Sequence, residues 1–324
     1  FAVSPETSAK AVAVLDCSTG RIIYSKNGNQ QMTIASTTKI MTALVAIENM
    51  DMENVVTITQ EHMAEGSSMY LKPGEKVKVK DLLYGLMMTS GNDAALALAC
   101  SIDGGKERFI QKMNEKAAEI GMRGSSFKNP NGLDEEGHYS TAEDMALLAY
   151  NAMKNGEFRK FVGTKNGTFA GRYMTNHNKL LSRIDGATGI KTGYTMKSGR
   201  CLVSSVLRDG REIIVVTLSD PNDWRDHTLL HEAAIKEYPV HKLYSKGEIL
   251  TEIPVAGTNT CIPVFINDDI CFGLKESELN ELETVIYLPK FIYNEMKMNE
   301  KAGELAVFLS DRELCRVPLF FGKN

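Results

Sequence analysis

Three short groups of residues in this chain could do chemistry together. Ser36-Thr37-Thr38-Lys39 places a hydroxyl and an amine three residues apart, which puts both on one face if the segment is helical. Ser90-Gly91-Asn92 offers a second hydroxyl and an amide, and Lys191-Thr192-Gly193 a second amine, a third hydroxyl and a residue with no side chain. A serine is a weak nucleophile until a base within hydrogen-bond reach takes its proton. Lys39 can be that base only if its pKa falls from about 10.4 toward neutrality. Burial lowers a lysine pKa, and so does a second cation, for which Lys191 is available. The chemistry on offer is acyl transfer through serine.

Each group has a plainer explanation. Ser36 and Lys39 could be a helix-capping serine and a lysine that snorkels to solvent. Gly91 could end one helix and Asn92 cap the next. Lys191 could be an exposed lysine beside a turn or bulge. The chain also carries its own control, since Ser125-Ser126-Phe127-Lys128 repeats the first pattern but runs straight into Asn129-Pro130, which discourages helix. Order and placement argue against coincidence. Ser36 opens a helix, whose free N–H groups and dipole favour an alkoxide. Ser90 lies between helices. Gly193 lies on a strand, where it would let a peptide approach the backbone and pair as an added strand.

The elements that must position these groups follow from the pattern of apolar residues. "AVAVLDCSTGRIIYSKN" (11–27) reads as a hairpin with a Ser-Thr-Gly turn. Residues 36–48 read as a helix with no polar face, buried all round. Further amphipathic helices are expected at 80–88, 92–101, 106–120 and 141–154, dense enough to form a helical subdomain. Strands return at 189–195, 200–210 and 211–220, with Asp209-Gly210 as a hairpin turn. A helix, "DHTLLHEAAIKEY", ends before Pro239. Beyond about residue 241 the segments become short and β-rich, as in "EILTEIPVAG", "CIPVFI" and "TVIYLP". The expected division is a catalytic domain over 1–241 and a small β-rich domain over 242–324.

Composition narrows the function. The 324 residues suffice for two domains, and 43% hydrophobic with 24% charged residues is ordinary for a globular chain. A net charge of −4 leaves no broad basic surface for nucleic acid. No stretch approaches the roughly 18 uninterrupted apolar residues of a membrane helix. The chain opens at Phe1, without an initiator methionine or an apolar signal region, as expected of an exported protein trimmed of its signal. The six cysteines form no C-x-x-C pair and the histidines have no metal-binding spacing, so no metal or other cofactor is expected. Cys261 and Cys271 could face each other across a hairpin, whereas the other thiols read as buried and free.

In the order S-x-x-K, S-x-N, K-T-G, the three groups match a set known from penicillin-binding proteins and class A β-lactamases. The chain resembles the low-molecular-mass penicillin-binding proteins, specifically the serine-type D-alanyl-D-alanine carboxypeptidases. The resemblance runs from about residue 8 to 240 and extends to "FKNPNGLDEEGHYSTAEDMALLA" (127–149), "NHNKLL" (176–181) and "GIKTGYT". It implies an α/β catalytic domain of the penicillin-binding/β-lactamase kind, an antiparallel sheet flanked by helices with a helical subdomain, followed by a small all-β domain. It also implies a substrate, peptidoglycan stem peptides ending in D-Ala-D-Ala, covalent inhibition by β-lactams, and an extracytoplasmic location. Family members commonly have a membrane anchor, and nothing up to Asn324 resembles one.

By the same resemblance, Ser36 is the nucleophile, Lys39 its base and Ser90 the relay of the proton to the leaving amine. Asn92 holds Lys39 and the substrate amide. Lys191 and Thr192 bind the terminal carboxylate, and Gly193 lies on the substrate-binding strand. The backbone N–H groups of Ser36 and Tyr194 form the oxyanion hole. Arg225 matches a family arginine near the carboxylate, with a surface arginine at a helix start as the alternative. Class A β-lactamases place an E-x-x-L-N glutamate before K-T-G; here Glu276-Ser277-Glu278-Leu279-Asn280 falls after it and reads as a chance match. Transpeptidase or endopeptidase activity with the same residues, and a wall-binding protein with negligible turnover, remain open on the sequence.

Overall fold

The computed structural model describes residues 5–293 and 299–322, and the chain divides into two units, each with its own core. One unit comprises Phe1–Cys17 and Arg21–Ala234, the other Ser18–Gly20 and Ile235–Asn324.

The first unit is built on a five-stranded antiparallel sheet. Its strands are β1 (Ala11–Asp16), β2 (Arg21–Lys26), β7 (Ala187–Thr195), β8 (Gly199–Arg208) and β9 (Arg211–Leu218), in the order β2-β1-β9-β8-β7. Two-stranded ribbons, β3 (Val55–Thr57) with β4 (Lys76–Lys78) and β5 (Asn166–Phe169) with β6 (Arg172–Thr175), complete the count. The turn between β8 and β9 has Asp209 and Gly210 both at positive φ, the primed geometry that matches the twist of paired strands. Every residue of β1 and β9 is buried, so both faces of the sheet are covered. On one face Ala13, Leu15, Val203, Ile214 and Val216 join the main apolar cluster, which contains the buried apolar residues of α1 (Lys39–Asn49) and α5 (Ala142–Ala152). On the other, Ser204 and Thr217 meet α7 (Asp223–Glu237) through His227 and His231. That last helix starts three residues earlier than the sequence pattern suggested.

The helical subdomain contains α2 (Val79–Met88), α3 (Asn92–Cys100), α4 (Gly105–Glu119) and α6 (Gly156–Gly163). α1 lies among them and is buried without interruption from Lys39 through Ala46; only its last turn reaches solvent, at Glu48 and Asn49. A 3-10 turn, Ala35–Thr38, precedes it and carries Ser36.

The second unit is all-β. Its strands β11 (Ile249–Pro254), β12 (Cys261–Ile266), β14 (Leu282–Tyr287), β15 (Lys301–Leu309) and β16 (Arg312–Phe321) form a sheet in the order β11-β12-β16-β15-β14. A ribbon of β10 (Val240–Tyr244) and β13 (Ile270–Gly273) accompanies it, and Ile253, Val264, Leu305 and Leu319 lie in the core. Residue 241 therefore falls inside β10 rather than between elements. The expected facing of Cys261 and Cys271 does not occur. Cys261 pairs with Pro254 and Cys271 with Lys242, on strands of different sheets, and all six cysteines are free. Cys201 is fully buried and the other five are half-buried.

Candidate active site

Ser36 sits where three segments meet. Ala35, immediately before it, has φ +47°, an unfavourable region for a residue with a side chain. The turn packs against β7, and a Cβ on Gly193 would lie 3.0 Å from Ser36 N and 3.1 Å from Thr37 N. Gly193 thus lets the Ser36 turn pack closely on the strand, a reason different from the substrate approach inferred from sequence. Gly132, at φ +84°, packs on the same turn from the other side, where a Cβ would overlap the Ala35 carbonyl. Ser36 remains partly exposed on the wall of a cleft of about 630 Å³.

Lys39, one turn later, is completely buried. Its Nζ lies 2.9 Å from Ser36 Oγ, 2.7 Å from Asn92 Oδ1 and 2.5 Å from the Asn131 carbonyl. As an ammonium it donates to all three. A neutral amine keeps two N–H donors and one lone pair. The two amide oxygens can only accept, so they take the two N–H groups and leave the lone pair for the Ser36 hydroxyl. Asn92 cannot flip to spoil this, because its Nδ2 donates to the Glu65 carbonyl at 2.7 Å. Burial, and secondarily the charge of Lys191, push the Lys39 pKa well below its ordinary value, against a weaker opposing pull from Asp93. The geometry sets a buried amine against a serine hydroxyl.

The remaining groups close around this pair. Ser90 follows α2 with φ +60°, and its buried Oγ has no hydrogen-bond partner among the described residues. Gly91 is the N-cap residue of α3 and makes no side-chain cap; Asn92, the first helical residue, turns its amide toward Lys39 instead of capping. Asp93 is buried and collects the N–H groups of Met69 and Leu71 and the Ser68 hydroxyl, which folds the 65–71 loop over the start of α3. Lys191, on the outer strand β7, is also buried; Nζ donates to the Thr192 carbonyl at 2.8 Å, and burial lowers its pKa to about 7. Thr192, Gly193 and Tyr194 line the cleft.

The structure thus brings Ser36, Lys39, Ser90, Asn92, Lys191, Thr192, Gly193 and Tyr194 into one place. Arg225 is not among the cleft-lining residues. Its side chain is 65% exposed, with Asp226 at 3.6 Å. The arginine that lines the cleft is Arg200, opposite Tyr194 on β8, held at 3.0 and 2.9 Å by the Asp223 carboxylate beside Trp224. His177 and Lys179, within the "NHNKLL" block, line it as well. Sequence reasoning also passed over Asn131, whose contribution is a main-chain carbonyl.

The control behaves differently. Ser125 Oγ bonds Ser140 Oγ at 2.7 Å and Asp144 Oδ2 at 2.6 Å, so its hydroxyl is engaged by partners other than Lys128. Glu276 lies in the second unit with its side chain 81% exposed. No group of three or more metal-ligating side chains occurs among the described residues, and no helix among them is long and apolar enough to cross a membrane.

Comparison with known proteins gives the same arrangement a lineage. The model of the D-alanyl-D-alanine carboxypeptidase family matches residues 1–222. The chain belongs to this family. Residues 238–324 match the C-terminal domain of penicillin-binding protein 5. The D-alanyl-D-alanine carboxypeptidase DacF of Bacillus subtilis is 34% identical over 327 residues, spanning 96% of this chain and 84% of its own. The crystal structure of the carboxypeptidase DacD from Francisella tularensis superposes with a TM-score of 0.70 at 29% identity, covering 99% of this chain and 94% of its own. A mutant DD-transpeptidase of Streptomyces K15 is 34% identical with a TM-score of 0.67, covering 71% of this chain and 98% of its own.

Proposed function

We propose that the chain is a serine D,D-carboxypeptidase that removes the terminal D-Ala from peptidoglycan stem peptides ending in D-Ala-D-Ala. The observation that carries this reading is Lys39, buried, hydrogen-bonded to Ser36 and with its pKa pushed well down by burial. Ser36 Oγ attacks the carbonyl of the penultimate D-Ala as its proton passes to Lys39 Nζ. The N–H groups of Ser36 and Tyr194 hold the resulting oxyanion. The proton then travels through the unpartnered Ser90 hydroxyl to the departing amine, and Lys39 is free again to activate the water that hydrolyses the ester. Asn92 orients Lys39 and the substrate amide. Thr192 and Lys191 take the terminal carboxylate. That carboxylate restores the charge that burial withdraws from Lys191, and the restored charge keeps Lys39 neutral.

The enzyme acts outside the cytoplasmic membrane, where this substrate lies. β-Lactams acylate Ser36 and persist, because their leaving amine stays tethered and obstructs water. Transfer to an amine acceptor is a second reading, favoured by the likeness to a protein described as a DD-transpeptidase.

Timed release of D-Ala from an acyl-D-Ala-D-Ala peptide, with and without an added amine, separates hydrolysis from transfer. Intact-mass measurement after penicillin should show one added drug mass on the peptide containing Ser36. Ser36→Ala should abolish it and Ser125→Ala leave it unchanged. Stoichiometric label on another serine, or rapid destruction of penicillin, overturns the assignment.

A further inference from the structure

His138 stands outside every role assigned so far, yet it is buried beside the nucleophile turn with both ring nitrogens engaged. Its Nδ1 accepts the Lys128 backbone N–H at 3.0 Å, so in the neutral ring Nε2 carries the proton and donates it to Thr38 Oγ1, 2.8 Å away. Thr38 lies between Ser36 and Lys39. Lys128 opens, and His138 closes, the loop whose crest is Asn129-Pro130-Asn131-Gly132. That crest delivers the Asn131 carbonyl to Lys39 Nζ and the Pro130 carbonyl to Thr42 Oγ1 at 2.6 Å. Both ends of the segment are tied independently, by backbone pairs between Ser126 and Tyr139 and between Met32 and Ser140. One imidazole therefore cross-links the loop's two ends to the turn that carries nucleophile and base.

We propose that His138 is a positioning residue for the catalytic lysine: by clamping the 128–138 loop to Thr38 it keeps the Asn131 carbonyl on Lys39 and so directs the lysine lone pair at Ser36. This rests on Lys39 as the base. The clamp needs a neutral ring, with one acceptor and one donor nitrogen; a protonated ring would turn an N–H against the Lys128 N–H. Burial holds the His138 pKa down to about 4 despite Glu135 and Asp134, which pull it up, and with Lys128 adding to the downward push. The clamp is thus intact at neutral pH.

The test measures acylation of the full chain by penicillin as a function of pH in His138→Ala, His138→Gln and Thr38→Val. With its ends still tied, the loosened loop shifts the Asn131 carbonyl, and Lys39 with it, by up to about an ångström, so His138→Ala should slow acylation by about 10- to 100-fold at neutral pH. Water admitted under the loop restores solvation of Lys39 against the opposing charge of Lys191, so the acidic limb of the rate profile should move to higher pH. Asp93, the other charge felt by Lys39, stays where it is. Glutamine offers one acceptor and one donor, so His138→Gln should recover most of the rate and return the limb. Thr38→Val, which removes only the acceptor, should shift the limb in the same direction and answers the question if His138→Ala does not fold. A folded His138→Ala or Thr38→Val protein acylated within twofold of the parent, with an unmoved limb, overturns the proposal, as does a glutamine variant no better than alanine. Lys39→Arg is the separate check on the underlying reading: near-normal acylation there refutes the lysine base, whatever the His138 variants do.

Discussion

Replacing Asn92 by aspartate tests the protonation logic of the site with almost no change of shape. The new carboxylate would sit 2.7 Å from Lys39 Nζ. At an effective dielectric constant of about 20, two unit charges at that separation attract by about 6 kcal/mol, or roughly four pKa units. Desolvating the carboxylate takes part of this back, as does the loss of the bond to the Glu65 carbonyl, which would face an oxygen at that distance. A net rise of about 1–3 units in the Lys39 pKa remains. Below that pKa each unit removes about nine-tenths of the remaining free base. Asn92→Asp should therefore slow acylation by penicillin at pH 7 by about tenfold for each unit by which the raised pKa exceeds 7. The whole acidic limb should move up by about 1–3 pH units, with much of the rate recovered in alkali. The assay is stopped-flow or intact-mass acylation from pH 5 to 10, on protein checked for folding at each end. A uniform loss of rate with no displacement of the limb would refute the argument, because it would mean that Asn92 acts on geometry or substrate alone.

Three further outcomes follow from the packing. Gly193→Ala forces the nucleophile turn back by a few tenths of an ångström, so acylation should fall by about 3- to 10-fold with little loss of stability. Gly132→Ala adds a left-handed backbone penalty to an overlap with the Ala35 carbonyl and should cost about 3 kcal/mol or more by denaturant titration; the reverse ranking of the two in stability would contradict the contacts described. A fragment ending at Tyr238, just after α7, should fold and be acylated at Ser36, since all the motif residues and the main apolar cluster precede it. A folded fragment that penicillin does not label would show that the β-rich segment contributes to the chemistry.

The sequence was most legible where side-chain identity and local spacing are enough to bring groups together. Ser36 and Lys39 are three apart on a segment with no polar face, and that pattern alone demanded an explanation for the cation. The hairpins and the buried first helix were legible for the same reason, because their periodicity is local. What stayed hidden depends on tertiary placement. Asn131 acts through a carbonyl that every residue possesses, so no letter marks it. Arg225 and Arg200 illustrate a second limit. Asp223, Trp224 and Arg225 are consecutive on α7, and successive helical residues point about 100° apart, so Asp223 is buried and Trp224 lines the cleft while Arg225 points outward. Arg200 is selected by the strand register that sets it opposite Tyr194. Cys261 and Cys271 were misplaced because the intervening residues do not form a hairpin; β12 finds its partners in β11 and β16.

The three contacts of Lys39 reach residues 3, 53 and 92 positions away along the chain. The last two can form only once the intervening chain has been closed into loops. Until then the lysine is an ordinary solvated ammonium and the serine an ordinary alcohol, so a partly folded chain carries no reactive centre that could be spent on a stray ester or amide. Reactivity and native structure arrive together. Penicillin labelling at Ser36 would then count native molecules, and its loss during denaturation would trace the cooperative unfolding of the whole first unit rather than the fraying of one loop.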